Sequence, residues 1–149
     1  MDYKIIDSRV RKLCAAINRL PNLWTCESCG GHEKLEIISQ LPAGYFNVSF
    51  DIDDENRLPT WEGWCSLSVI ERAIAIAEVK YEDEESYIKK QKDNPFYARY
   101  KLSMFNWDFE LDAEILPEGN AFRIEGYDGA DPDYLAQIIN DLRRRVKIR

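Results

Sequence analysis

Two octapeptides, FNVSFDID at 46–53 and FNWDFELD at 105–112, alternate apolar and polar residues without a break. Successive side chains on a strand point to opposite faces, so this pattern demands strands with one face covered and one face wet. Such strands build a mostly antiparallel sheet, and apolar helix faces must close its covered side. Three stretches supply those faces at the helical period: Ile6, Val10, Leu13, Ile17 and Leu20, then Ile70, Ala73, Ile74, Ala77 and Tyr81, then Leu135, Ile138, Ile139, Leu142 and Val146. Pro21 cannot continue the first helix, and Asn22 suits the turn that follows. Ser68 and Glu71 have the spacing of a capping box, which predicts that the second helix begins there. Asp131 followed by Pro132 is a favourable start for the third.

Between the helices lie a short extended stretch at Leu23–Thr25 and two hairpins. The first joins 34–40 to 45–53 through LPAG, and the second joins 99–112 to 121–127 through PEGN. Residues 82–94 read either as a continuation of the second helix or as a link. The expected fold is one α+β domain over 1–149, with the two hairpins and the short strand in one sheet. The N-terminal, central and C-terminal helices pack mainly on one face of it. The two octapeptides occupy opposite arms of their hairpins, so their likeness reflects shared strand composition rather than duplication.

A net charge of −7 argues against a broad polyanion-binding surface, because phosphate contacts need clustered Lys and Arg. The exception is the basic tail Arg143–Arg149, which also complements a helix C-terminus and is the one place where nucleic acid is an expected partner. No apolar run reaches the roughly 20 residues of a membrane helix. The first residues show no signal-peptide core. The four cysteines, at 14, 26, 29 and 65, do not look like a disulfide framework, and the chain reads as cytoplasmic.

TCESCGGHEK, at 25–34, concentrates chemistry: two cysteines, paired glycines and the single histidine. CxxCGG has the form of a zinc knuckle, but structural zinc wants four ligands, usually from two knuckles. Only one knuckle is present, so a zinc site would have to recruit Cys26, Cys29, His32 and Cys65. Redox chemistry fits poorly, because the motif does not open a helix. Cys29 with His32 could form a nucleophile and base, around which Gly30 and Gly31 let backbone amides approach a ligand. The turn could also be purely structural. Trp61-Glu62-Gly63-Trp64 either offers stacking faces to a base or adenine ring or closes the core before the second helix. Asp51, Asp53, Asp54 and Glu55 lack the order of a calcium loop and read as a solvated strand end.

The run AINRLPNLWTCESCGGH, at 16–32, resembles the opening of the tRNA wybutosine-synthesis methyltransferase family. Members carry a helix ending in Ile-Asn, an aromatic-rich stretch and then Thr-Thr-Ser-Ser-Cys-Ser-Gly-Arg. Ile17, Asn18, Thr25, Ser28, Cys29 and Gly31 match in order, whereas Cys26, Glu27, Gly30 and His32 depart. It is also similar to small proteins with a Ser-Cys-x-Gly-His motif, which His32 fits better. The resemblance implies S-adenosylmethionine-dependent methylation, with Thr25, Ser28, Cys29 and Gly31 in the active-site region. Two expectations follow. The first is a small-ligand site, for S-adenosylmethionine or a nucleotide, with Cys29 and His32 central and Thr25, Ser28, Gly30, Gly31, Trp61 and Trp64 around it. The second is a non-catalytic protein-interaction domain in which that turn is structural.

Overall fold

The computed structural model describes residues 8–25, 44–52, 61–104, 106–108, 113–115 and 121–145. Their order is α1 (Arg11–Asn18), β1 (Trp24–Thr25), β2 (Phe46–Asp51), α2 (Trp61–Val79), α3 (Glu85–Asp93), β3 (Tyr100–Met104), β4 (Asn106–Asp108), β5 (Ala113–Ile115), β6 (Ala121–Gly126) and α4 (Pro132–Arg145). This is an α+β fold with an antiparallel sheet in the order β1-β2-β6-β3 and a separate two-stranded ribbon, β4-β5. Among the described residues, no helix is long and apolar enough to cross a membrane.

Register fixes the two faces of the sheet. Phe46, Val48 and Phe50 of β2 stand opposite Gly126, Ile124 and Phe122 of β6, which in turn face Tyr100, Leu102 and Met104 of β3. Directly paired residues project to the same side, so these rows form one apolar face. The stripes of α1 (Val10, Leu13, Ile17, Leu20), α2 (Ile70, Ala73, Ala77) and α4 (Leu135, Ile138, Ile139, Leu142) are buried in the same core. Ile6 and Val146 lie outside the described residues. The opposite face carries Asn47, Ser49, Asp51, Arg123, Glu125, Lys101 and Ser103.

Local chemistry sets the turns. Leu23 N–H bonds to Leu20 C=O across Pro21 and Asn22, and Asn22 has a φ of 59°. Pro first and a left-handed Asn second is the residue order of a type II turn. Ala130 N–H bonds to Tyr127 C=O across Asp128 and Gly129, both at positive φ, which is the type I′ pattern. Gly126 has a different reason. A Cβ there would sit 1.9 Å from Cε2 of Phe46, whose ring occupies that space. Asp131 caps α4 by accepting from Asp133 N–H at 2.9 Å.

Several expectations change. Helix α2 begins at Trp61, seven residues before Ser68, and Ser68 Oγ donates back to Trp64 C=O at 3.1 Å. Ser68 therefore sits inside the helix, satisfying its hydroxyl on the preceding turn instead of capping. Residues 85–93 form a fourth helix, separated from α2 by the turns at Lys80–Asp83. The expected hairpin of 99–112 with 121–127 exists as β3 with β6, but β3 ends at Met104. The chain then reverses within its own ribbon, where Asp108 pairs with Ala113. The expected strand at 34–40 and the PEGN turn lie outside the described residues.

Candidate functional site

Of the residues that the sequence nominates, Cys26, Ser28, Cys29, Gly30, Gly31 and His32 lie outside the described residues, while Thr25, Trp61, Trp64 and Cys65 lie within them. Thr25 is committed. Its N–H donates to Asn18 Oδ1 at 2.9 Å, and Asn18 Nδ2 donates back to its hydroxyl at 2.8 Å. This reciprocal clamp fastens the end of α1 to β1, so two residues of the Ile17-Asn18…Thr25 pattern hold each other. Cys65 is a half-exposed free thiol. Cys14, buried on α1, is disulfide-bonded, so the scattered cysteines do include a bonded one. No group of three or more His, Cys, Asp or Glu is poised to hold a metal among the described residues.

Trp61 and Trp64 depart from the core-closing turn. Both belong to the opening of α2, where they expose 75% and 44% of their surface. Gly63 between them is buried inside the helix. Trp64 leans edge-on against Phe122 at 6.3 Å, and Phe122 stacks on Phe50 at 5.9 Å. Phe50 pairs with Thr25 on one side, and Phe122 pairs with Met104 on the other. One row across the covered face thus runs Thr25, Phe50, Phe122, Met104, with Trp64 above it. Two strand spacings put Thr25 and Phe122 roughly 10 Å apart. Met104 ends this row 47% exposed. Thr25 and Met104 therefore lie at the two edges of one end of the sheet, with Trp64 over Phe122 between them.

The other end holds a network that the sequence reading missed. Arg99 is only 3% exposed. Its Nη2 donates to Glu84 Oε2 at 2.9 Å and to Ser86 Oγ at 3.1 Å, and its Nε donates to Tyr97 OH at 2.9 Å. The guanidinium lies 5.1 Å over the Tyr81 ring and 5.7 Å over Tyr87. Burial opposes the Arg99 charge, yet the bonds to Tyr97 and Glu84 outweigh it and raise its pKa. Tyr97 OH passes its own proton toward Asp128 Oδ2, which also takes Lys90 at 2.5 Å. The Lys90 ammonium first, then Tyr97, hold Asp128 below the usual carboxylate value.

Glu78 does similar work at the start of β3, accepting from the N–H groups of Arg99 at 2.9 Å and Tyr100 at 2.8 Å, and from Tyr87 OH at 3.0 Å. Tyr100 OH donates to Asp131 C=O at 2.7 Å. Its one proton is thereby used, so the 2.9 Å bond between Tyr81 and Tyr100 has Tyr81 as donor. Tyr81 in turn accepts from Asp131 N–H at 3.1 Å. The two phenols bracket the cap of α4. Burial, followed by the Tyr81 hydroxyl, pushes the Tyr100 pKa far up. Donors and acceptors answer one another throughout, as in an internal lock rather than a vacant site.

An open groove of about 830 Å³ runs between α1 and α4. Its charges are also mutually occupied: Lys12 with Asp133 at 4.0 Å, Arg19 with Asn140 at 3.3 Å and Arg144 with Asp141 at 3.4 Å. Lys80 lies 4.3 Å over the Tyr134 ring. These exposed pairs describe a solvated helix–helix seam. Compared with known proteins, the chain matches no family model, no curated protein and no solved structure.

Proposed function

We propose that the protein is a non-catalytic interaction domain that contacts a protein partner through the tryptophan end of α2. The observation behind this reading is the exposure of Trp61 and Trp64, at 75% and 44%, one turn apart on α2. Large apolar side chains clustered on a surface mark contact sites, and tryptophan is the residue that contributes most at such sites. The motif from 25 to 32 then serves as a structural turn, entered through the Asn18–Thr25 clamp.

A photo-crosslinking residue in place of Trp61 should capture one discrete partner protein in the cells that make this chain. The same residue in place of Val79, 59% exposed at the far end of α2, should not. Equal labelling from both positions would sink the reading.

A second reading has its own support. Thr25 and Trp64 share one end of the sheet, which suits a small ligand stacked on Trp64 and bounded by Thr25, Ser28, Cys29, Gly30, Gly31 and His32. S-adenosylmethionine and nucleotides are the ligands to try, and a methyltransferase-like reaction would follow from the family resemblance. A thermal midpoint that rises with one of them, and no longer rises in Cys29→Ala or His32→Ala, would favour it over the first reading.

A further inference from the structure

Helix α3 is nine residues long, and Tyr87 is its one buried residue. A helix of this length does not persist in water without tertiary packing. Apart from the Tyr87 ring, which packs edge-on against Tyr97 at 5.3 Å, its fastenings to the rest of the fold run through polar groups. Tyr87 OH donates to Glu78, Lys90 pairs with Asp128, Gln91 Nε2 donates to Tyr97 C=O at 3.4 Å, and Ser86 Oγ accepts from Arg99. The contrast with α4 is direct, since α4 buries Leu135, Ala136, Ile138, Ile139 and Leu142. Apolar burial is insensitive to moderate salt, whereas bonds to half-exposed charges are screened.

We infer that α3 is a strap that opens as a unit while the sheet and the other helices stay folded, and that its opening brings the Arg99 guanidinium to the surface. The groups facing the latch are Glu78 from α2, Glu82 and Glu84 from the connection, Lys90 from α3, Tyr97 and Arg99 from the segment entering β3, and Asp128 from the turn after β6. Their titration gives the direction on each side of neutrality. Asp128 is held below its ordinary value, so its contribution is present above that value and fades as pH falls through the lowered one. Burial, with bonds to Glu78 and Asp128, pushes Tyr87 and Tyr97 up from 10.0 to about 12. Their contribution is complete below pH 10 and is lost as pH rises toward 12.

Segment-resolved hydrogen exchange on the full chain at neutral pH tests the strap. Interior amides of α3 should exchange about tenfold or more faster than those of α4, as expected for local opening. Lys90→Ala should accelerate α3 about fivefold further, the scale of one charge-assisted bond near the surface, and leave α4 unchanged. Glu84→Gln should act in the same direction from the other side of the latch. Both substitutions are on exposed residues, so the fold survives them. Equal protection of α3 and α4 would overturn the proposal, as would a Lys90→Ala chain in which both helices accelerate together or neither does.

Discussion

The two ends of the covered sheet face are built on opposite principles. At one end Phe50, Phe122 and Trp64 stack in a row that stays open at Trp61 and Met104. At the other end Phe46, Tyr100, Tyr81 and Arg99 close over Gly126, and every phenol described there has a hydrogen-bond partner. Helix α2 spans both, from Trp61 to the Tyr81 turn. The buried cation and its displaced pKa values would attract a search for catalysis, yet that end is self-satisfied. The apolar end leaves Trp61 and Trp64 exposed side by side on one helix, whereas at the polar end the single ring of Phe96, before Tyr97, stands 91% exposed. A perturbed group marks a functional site only when it also faces open space.

The largest effect should come from the shared apolar row. Phe122→Ala should lower stability by about 3–5 kcal/mol in urea unfolding, since a 5% exposed ring is lost from between Phe50 and Trp64. Arg99→Ala should cost about 1–3 kcal/mol, because Tyr97 and Ser86 lose a hydrogen-bond partner, whereas the half-exposed Glu84 can turn to water. The two ends then separate by salt: the Phe122 penalty should be the same at low and high salt, and the Arg99 penalty should shrink. Gly126→Ala should cost about 1–3 kcal/mol, as the Phe46 ring must shift from a contact of 1.9 Å. A smaller loss should appear on raising pH from 10 to 12. Absorbance of tyrosinate should lag behind free tyrosine, because Tyr87, Tyr97 and Tyr127 all ionise near 12.

Much of the scaffold was readable from pattern. The stripes of α1 and α4, the alternation of β2, the Pro21-Asn22 turn and the Asp131-Pro132 cap each state one local rule, and tertiary packing agrees with it. The failures have equally local causes. Trp-Glu-Gly-Trp looks like a turn because glycine weakens a helix, but Gly63 is buried within α2. Ser68 mimics a cap because its hydroxyl can serve either a helix start or the preceding turn. Residues 109–112 hold neither Gly nor Pro, so nothing announced that the chain reverses between β4 and β5. Helix α3 has a single buried residue and hence no stripe to read.

The candidate site was legible only in part. Trp61 and Trp64 stood out by composition, and the fold sets Trp64 against Phe122, which is distant in sequence. The tyrosine network escaped because Tyr81 read only as the end of an apolar stripe, and Tyr87, Tyr97 and Tyr100 share no spacing with it. Hydrogen bonds between distant segments leave no spacing signature.

The most direct test is Trp61→Ala, read for stability and for contact together. At 75% exposure, removal of this ring should move the folding free energy by less than about 0.5 kcal/mol. In the same chain, partner capture from a crosslinker placed at Trp64 should fall severalfold. A large drop in stability would instead make Trp61 part of the scaffold, and an absence of capture from Trp64 even with Trp61 in place would take the tryptophan end out of the contact surface.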